Sequence, residues 1–266
     1  MRITLPVGII LDGQRYREVE VGYLTGHALK SMRAAIGGRR PQGLDHYLDA
    51  LKVGIKGIVG YEGTITPEII KNMFWVDAEY ILHSMAVMEL EALRDIDPSV
   101  GEPTISRTCP SCGHTSDFPV DLAGRAVRMV EETKFGESSD FTIPFKLSQP
   151  IDWLDPEKTP YQEGRLGLHT VGDFLEIARR AARNVGEATL YSICRAIVEL
   201  GPKGRGEIDP ADLEPLPAVD IKRLERLYND NAPGLLPLEP AECPNCGNEV
   251  NLNPIDYVLD FLLVSR

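Results

Sequence analysis

Two short cysteine motifs are the residues of this chain best suited to chemistry. Residues 109–113 read CPSCG and residues 243–247 read CPNCG, so both follow the pattern Cys-Pro-x-Cys-Gly. A tight turn with this spacing lets both sulfurs of a pair face one point, and the glycine accommodates the unusual backbone that follows. Two such turns supply four thiolates, which match the closed tetrahedral shell of a structural Zn²⁺ ion. The predicted zinc ligands are Cys109, Cys112, Cys243 and Cys246.

The separation of the two pairs makes this site unusual. Residues 113–242, 130 in number, lie between them, whereas zinc ribbons commonly separate their pairs by about 15–20 residues. A shared ion would close this long loop and make the intervening segment an insertion into a split ribbon. An alternating segment follows each pair, over residues 115–122 and 249–252, and favours two hairpins that flank the metal.

Other interpretations of the cysteines stay open at the level of sequence. Each pair could bind its own metal with a further ligand such as His114, or a pair could be a redox Cys-x-x-Cys, although no βαβ pattern surrounds either one. The fifth cysteine, Cys194, lies among apolar residues of a predicted helix and is expected to be a buried structural thiol.

The rest of the sequence offers no recognisable catalytic constellation. The five histidines are scattered, and no nucleophile elbow, phosphate-binding loop or His-Glu-x-x-His pattern is present. His83 falls on a long predicted helix, where a packed histidine is the plainer interpretation. We therefore predict that the protein is not an enzyme and has no small-molecule substrate.

Composition excludes several classes of protein. The 266 residues include 28 Lys plus Arg against 40 Asp plus Glu, a formal charge of −12, with 43 % hydrophobic residues. This balance is typical of a globular protein and opposes extensive disorder. The negative charge opposes broad binding to nucleic acid or to anionic membranes. No apolar run approaches the roughly 18 residues of a membrane span, and the first residues lack a signal-peptide pattern, so a cytoplasmic protein is expected.

Hydrophobic periodicity predicts an α+β fold. Alternating apolar residues around Asp12-Gly13 predict an N-terminal β-hairpin. Helices are expected over residues 28–36, 44–59, 66–88, 170–200 and 219–228, and strands over 104–108, 115–122, 125–130 and 141–147. We divide one structural body into a hairpin (1–24), a helical region (25–98), the first knuckle with a β region (99–161), an inserted helical region (162–232), and the second knuckle with an apolar tail (233–266).

The order of these elements resembles a known family, the T4-like phage baseplate hub assembly chaperones. The resemblance is carried by the Leu-Pro-x-Gly hairpin of residues 5–8 with its return strand and exit, by the helix segment 77–82, by the two Cys-x-x-Cys units, and by the Ile-Pro-containing segment 141–144. It extends over nearly the whole chain.

This resemblance implies a non-enzymatic role in assembling the baseplate or hub of a phage tail or contractile injection system, or a place there as a structural subunit. The implied partners are other tail proteins, and the implied location is the cytoplasm of the bacterial host during assembly or the virion itself. The apolar tail would suit a groove on such a partner, or it would cover the protein's own core. The predicted partner-binding residues are Tyr257, Val258, Phe261 and Leu262. A zinc-ribbon protein that binds nucleic acid or acts in transcription is the alternative.

Overall fold

The fold opens with the predicted N-terminal hairpin. A computed structural model describes residues 1–24, 45–154, 157, 159–181 and 185–252. Strands β1 (Arg2–Leu11) and β2 (Gln14–Val21) pair antiparallel. Asp12 and Gly13 join them with positive φ angles of 51° and 76°, as a two-residue hairpin turn with the twist of the strands requires.

The helix predicted over residues 44–59 is shorter than expected. Helix α1 (Asp45–Gly54) gives way directly to strand β3 (Ile55–Ile58), which pairs with β2 and completes the sheet β1-β2-β3. Glycine at the helix end and β-branched residues beyond it favour this change. The helix predicted over 28–36 lies outside the described residues.

The next predicted helix is divided in two. Helix α2 (Pro67–Asn72) begins at Thr66, whose hydroxyl accepts a hydrogen bond from the Ile69 amide at 3.3 Å, as the sequence predicted. Helix α3 (Trp75–Ile96) follows after a break at Met73 and Phe74. The amide of Trp75 donates to the carbonyl of His169, and the amide of Val171 donates to that of Met73, so a distant segment satisfies the backbone of the break.

The cysteine-containing hairpins form as two separate small sheets. Strands β4 (Thr104–Thr108) and β5 (Thr115–Pro119) flank the first motif. The strand predicted over 125–130 is only β6 (Val127–Arg128), and 3₁₀ turns follow it over Val130–Glu132 and Lys134–Glu137.

The insertion between the knuckles contains the strand predicted over residues 141–147, but its part predicted to be helical, residues 162–232, contains strands as well as helices. Its sheet has the order β10-β9-β8-β7, and its strands are β7 (Thr142–Ile151), β8 (Tyr161–Gly167), β9 (Ile197–Leu200) and β10 (Lys203–Gly204). Its helices are α4 (Val171–Ala181), α5 (Val185–Ala196), α6 (Pro210–Leu213) and α7 (Ala218–Asn231). Strands β11 (Gly234–Leu235), β12 (Ala241–Glu242) and β13 (Glu249–Val250) end the described chain. The predicted α+β class and N-terminal hairpin are confirmed.

The core consists of distinct apolar clusters. The largest lies between the N-terminal sheet and helices α1 to α3, and includes Ile105 and Leu122 from the first cysteine unit. A second fills the insertion between its sheet and helices α5 to α7. A third joins Val7 and Val76 to Phe135 of the insertion. Within the described residues, no helix has both the length and the apolar character needed to cross a bilayer.

Candidate metal centre

The first knuckle is a tight turn closed by its own backbone. The amide of Cys109 donates to the carbonyl of His114 at 2.8 Å, and the amide of Gly113 donates to the carbonyl of Cys109 at 2.9 Å. Gly113 has a φ of +73°, a conformation that residues with a Cβ adopt at a cost. The glycine therefore directs the chain from the turn into β5.

The second knuckle repeats this geometry. The amide of Cys243 donates to the carbonyl of Asn248, and the amide of Gly247 donates to the carbonyl of Cys243, both at 2.9 Å. Gly247 also has a φ of +73°. Strands β12 and β13 flank it as β4 and β5 flank the first turn. The matching of motif and geometry explains why both turns present their sulfurs alike.

The four predicted ligands meet at one point. The sulfurs of Cys109 and Cys246 lie 3.7 Å apart, as do those of Cys112 and Cys243, and all four lie within 4.8 Å of one another. A disulfide needs about 2.05 Å, so these are free thiols. Four sulfurs placed about 2.3 Å from a tetrahedral ion are about 3.8 Å apart. The spacing therefore fits a single metal ion shared by both knuckles.

The alternative in which each pair binds its own ion finds no support in the described residues. The one group there of three or more potential metal ligands consists of the four cysteines alone. His114, the proposed extra ligand, is exposed and contributes its carbonyl to the turn.

Half of the site is buried and half is open. Cys109 and Cys243 are buried with Phe118 and Val250 in a small cluster between the two hairpins. Cys112 and Cys246, the second cysteine of each motif, are exposed. The ion would thus lie at the protein surface, with its inner ligands anchored by apolar contacts.

The groups around the sulfurs stabilise some of the thiolates, but they do not stabilise all four at once. Backbone amides of Cys112 and Ser111 lower the pKa of Cys109, and the Asn245 side chain is the main cause that lowers the pKa of Cys112 to about 6. The Asn248 amide lowers the pKa of Cys246, yet desolvation by the surrounding atoms and the neighbouring sulfurs outweigh it and raise that pKa to about 11. Crowded sulfurs repel one another as anions, so a cation bound between them would let all four ionise together.

The remaining predicted positions are four residues near the C-terminus and the fifth cysteine. Tyr257, Val258, Phe261 and Leu262 lie outside the described residues. Cys194 is buried in α5, where burial raises the pKa of its thiol to about 12, which makes it a poor nucleophile and metal ligand.

A second polar cluster, whose role the sequence did not predict, fastens the N-terminal hairpin to α3. The carboxylate of Asp77 is fully buried and accepts hydrogen bonds from the amides of Val7 and Gly8, both at 2.8 Å. The pairing of β1 with β2 is irregular between Thr4 and Ile9, so Asp77 takes the place of a strand partner for the two amides. Burial raises the pKa of Asp77 to about 7, against the lowering effect of these amides.

Two arginines satisfy the carbonyls of the same irregular segment. The Arg15 Nε donates to the carbonyl of Val7 at 2.6 Å, and Arg17 Nη2 donates to that of Leu5 at 3.2 Å. Both guanidinium groups also contact the Glu131 carboxylate. The Leu-Pro-x-Gly segment, the return strand and the Asp77 helix, three parts of the resemblance, therefore meet in one network.

The two ends of the insertion are joined by a short neck. Arg125 Nη2 donates to the carbonyl of Leu236 at 2.6 Å, and the Leu236 amide donates to the carbonyl of Ala126 at 3.0 Å. Beyond them β6 pairs with β11. The insertion is thus closed by backbone pairing as well as by the cysteine cluster.

The insertion also contains an ionic cluster around a buried aspartate. The side chain of Asp173 is 1 % exposed and pairs with the guanidinium groups of Arg195 and Arg205. Nearby, His169 Nε2 lies 2.9 Å from the backbone carbonyl oxygen of Ser192, not from its hydroxyl. A histidine in this position orients backbone and does not activate the serine as a nucleophile.

Comparison with protein-family models, with curated proteins and with solved structures gave no match.

Proposed function

We propose that this chain is a zinc-stapled, non-enzymatic assembly protein of a phage or phage-like contractile tail, which acts in building the baseplate or hub or remains there as a subunit. The resemblance of the ordered motifs to those of the hub assembly chaperone family carries the proposal. It is supported by the way those motifs are used: residues from three of them build one partly buried network, and the two cysteine units build one cluster.

The ion that we propose for the cysteine cluster is Zn²⁺ in a structural role. Four thiolates form a soft, tetrahedral ligand set that suits zinc, and they leave no open position for water or substrate. When bound, the ion would neutralise the crowded sulfurs and hold the two hairpins together. The residues that hold it would be Cys109, Cys112, Cys243 and Cys246.

The zinc proposal is tested by elemental analysis of purified protein. We expect close to one zinc per chain, and Cys243→Ser should lower the zinc content and loosen the first knuckle as well as the second, because metal binding is coupled to folding of the site. Cys194→Ser is the matched control and should keep its zinc. If Cys243→Ser leaves Cys109 and Cys112 unchanged and metal-loaded, a shared site is ruled out.

The assembly proposal is tested by affinity capture. A tagged chain isolated from cells that are assembling tails should recover other baseplate or hub proteins, and the same capture from cells without tail production is the control. Presence of the chain in purified particles would mark a subunit, and absence would mark a chaperone that departs. If the tagged chain recovers no tail component from cells that are assembling tails, the assembly proposal is wrong.

A zinc-ribbon protein that binds nucleic acid is the alternative favoured by the twin knuckles. The strands that flank the cysteines oppose it, because they carry Arg107 against the acidic residues Asp117, Glu242 and Glu249. Phosphate binding needs the opposite balance. Salt-dependent binding of the purified protein to labelled DNA or RNA would favour the alternative, and an undetectable response would exclude it.

A further inference from the structure

A groove in the insertion is a large concave surface that the cysteine cluster does not explain. It lies between helix α7 and strands β7 to β9 and encloses about 830 Å³, within the range of about 300–1,000 Å³ that ligand sites occupy. Phe145, Leu224 and Leu227 contribute its apolar lining. The groove is therefore large enough for a segment of another chain.

The charge of this groove is the reverse of the charge of the whole protein. Five of its 16 lining residues are basic and four are acidic, whereas acidic residues outnumber basic ones by 40 to 28 in the chain. Lys134, Arg223 and Arg226 are exposed, and in the described part of the chain no ion pair or side-chain hydrogen bond engages them. Three unpaired cations thus surround one groove of an acidic protein.

Two of the four acidic residues are already engaged. Asp220 is buried, and its oxygens accept hydrogen bonds from the amide and the hydroxyl of Ser148 at 2.9 and 2.6 Å. Glu163 pairs with Lys146 at 3.5 Å. Glu199 and Asp230 remain as the other two acidic residues of the lining.

We propose that this groove docks an acidic segment of a partner protein in which carboxylates alternate with apolar side chains. Carboxylates would pair with Lys134, Arg223 and Arg226, and the apolar side chains would lie against Leu227 and its neighbours. The interspersed Glu199 would repel the uniform charge of a nucleic-acid backbone, so a protein segment is the better fit. This inference does not depend on the role in tail assembly.

A fluorescein-labelled peptide of alternating aspartate and leucine provides the probe, with fluorescence anisotropy as the readout on the full-length protein. The double variant Arg223→Glu/Arg226→Glu should weaken binding by about tenfold or more, because it replaces attraction by repulsion at two positions. Lys222→Glu is the matched control: it lies on the same helix and is exposed, but it does not line the groove. It should change binding by less than about twofold.

The proposal would be wrong if the peptide showed no saturable binding, or if Lys222→Glu lost as much peptide binding as the double variant. It would also be wrong if a lysine–leucine peptide bound equally well, or if a labelled oligonucleotide bound more tightly through the same arginines. Lys222, Arg223 and Arg226 are all exposed. The variants at these positions should therefore keep the zinc content and unfolding midpoint of the parent. Lys134→Glu, on a separate element, gives an independent test and should also weaken binding of the peptide.

Discussion

Single side chains decide how the N-terminal hairpin attaches to the rest of the molecule. Asp77 lies on α3, about 70 residues from the strand amides that it binds, and it is completely buried. Its two oxygens match two amides. Glycine is required at position 8 because its φ is +112° and a Cβ there would lie 2.9 Å from the carbonyl oxygen of Tyr16 on the paired strand. Asp77 and Gly8 are far apart in the sequence, and only the tertiary fold brings them together.

Replacing Asp77 by Asn should destabilise the fold by about 1–3 kcal/mol, the cost of leaving one buried amide without an acceptor. The Asn side chain offers one oxygen, and its NH₂ group would face the amide of Val7 or Gly8. Asp95→Asn, an exposed position on the same helix, is the control and should lie within about 0.5 kcal/mol of the parent. Urea unfolding measures both. Equal stability of the two variants would contradict the role given to Asp77.

His83 should contribute a pH dependence to stability. Burial is the main cause that lowers the pKa of His83 to about 4, so between pH 6.5 and 4 the unfolded chain binds a proton that the folded chain does not. The unfolding free energy should therefore fall as the pH drops through this range, by at most about 3 kcal/mol from this group.

The comparison of parent and His83→Gln isolates this contribution. Burial raises the pKa values of Asp77 and Glu79 to about 7, and these carboxyls change the stability in the opposite direction over the same range in both proteins. The difference between the two unfolding free energies should shrink as the pH falls from 6.5 to 4. A difference that is constant with pH would mean that His83 titrates normally.

At the scale of residues, the sequence could predict the site residues that lie close together along the chain, but not those that only the fold brings together. The cysteines were identifiable because each pair is local and the motif is repeated, and the structure brings all four together. The network of Asp77 was not, because its partners are backbone amides released by an irregularity in a strand. The neck of the insertion is not visible in the sequence either, because Arg125 donates to the backbone carbonyl of Leu236, which lies 111 residues away.

At the scale of elements, the missed strands share one cause. Strands β3 and β9 each begin at the residue directly after a helix. Gly54 ends the helix before β3, but no glycine or proline separates α5 from β9. Ile197 and Leu200 continue the apolar spacing of α5, so periodicity alone extends the helix. Pairing of Leu200 with Gly164 and Ile197 with Leu166 determines the strand instead, and β8 itself lacks a clear alternation. Tertiary pairing overrides local pattern in such segments.

The two knuckles are equivalent elements, and glycine substitutions should reveal this. Gly113 and Gly247 have the same φ of +73°, and a Cβ added at either one would meet no atom within 4 Å, so alanine would add only backbone strain, of about 1–2 kcal/mol. We expect Gly113→Ala and Gly247→Ala to reduce the unfolding free energy and zinc affinity by similar amounts. Gly101→Ala is the control, since it also has open space but no positive φ. A large cost at one knuckle alone would contradict their equivalence.

At the scale of the whole molecule, the chain is held together by closures of different kinds. The cysteine cluster joins residues 109 and 246, the β6–β11 pairing joins residues 127 and 235, and the insertion has an apolar core of its own. The apolar cluster around the four cysteines is small and separate from that core. Stability in such an arrangement is not uniform, and local opening of the cysteine unit need not disrupt the insertion.

Removing the metal should therefore open the ribbon and leave the insertion folded. With a chelator and a reductant present, we expect faster hydrogen exchange at amides of β4, β5, β12 and β13, because four crowded thiols then lack the cation that lets them ionise together. Amides of β7 to β9, buried behind their own core and closed by the neck, should exchange at their original rates. The reductant alone is the control, and zinc should restore protection. Loss of protection throughout the insertion would show instead that the whole fold depends on the metal site.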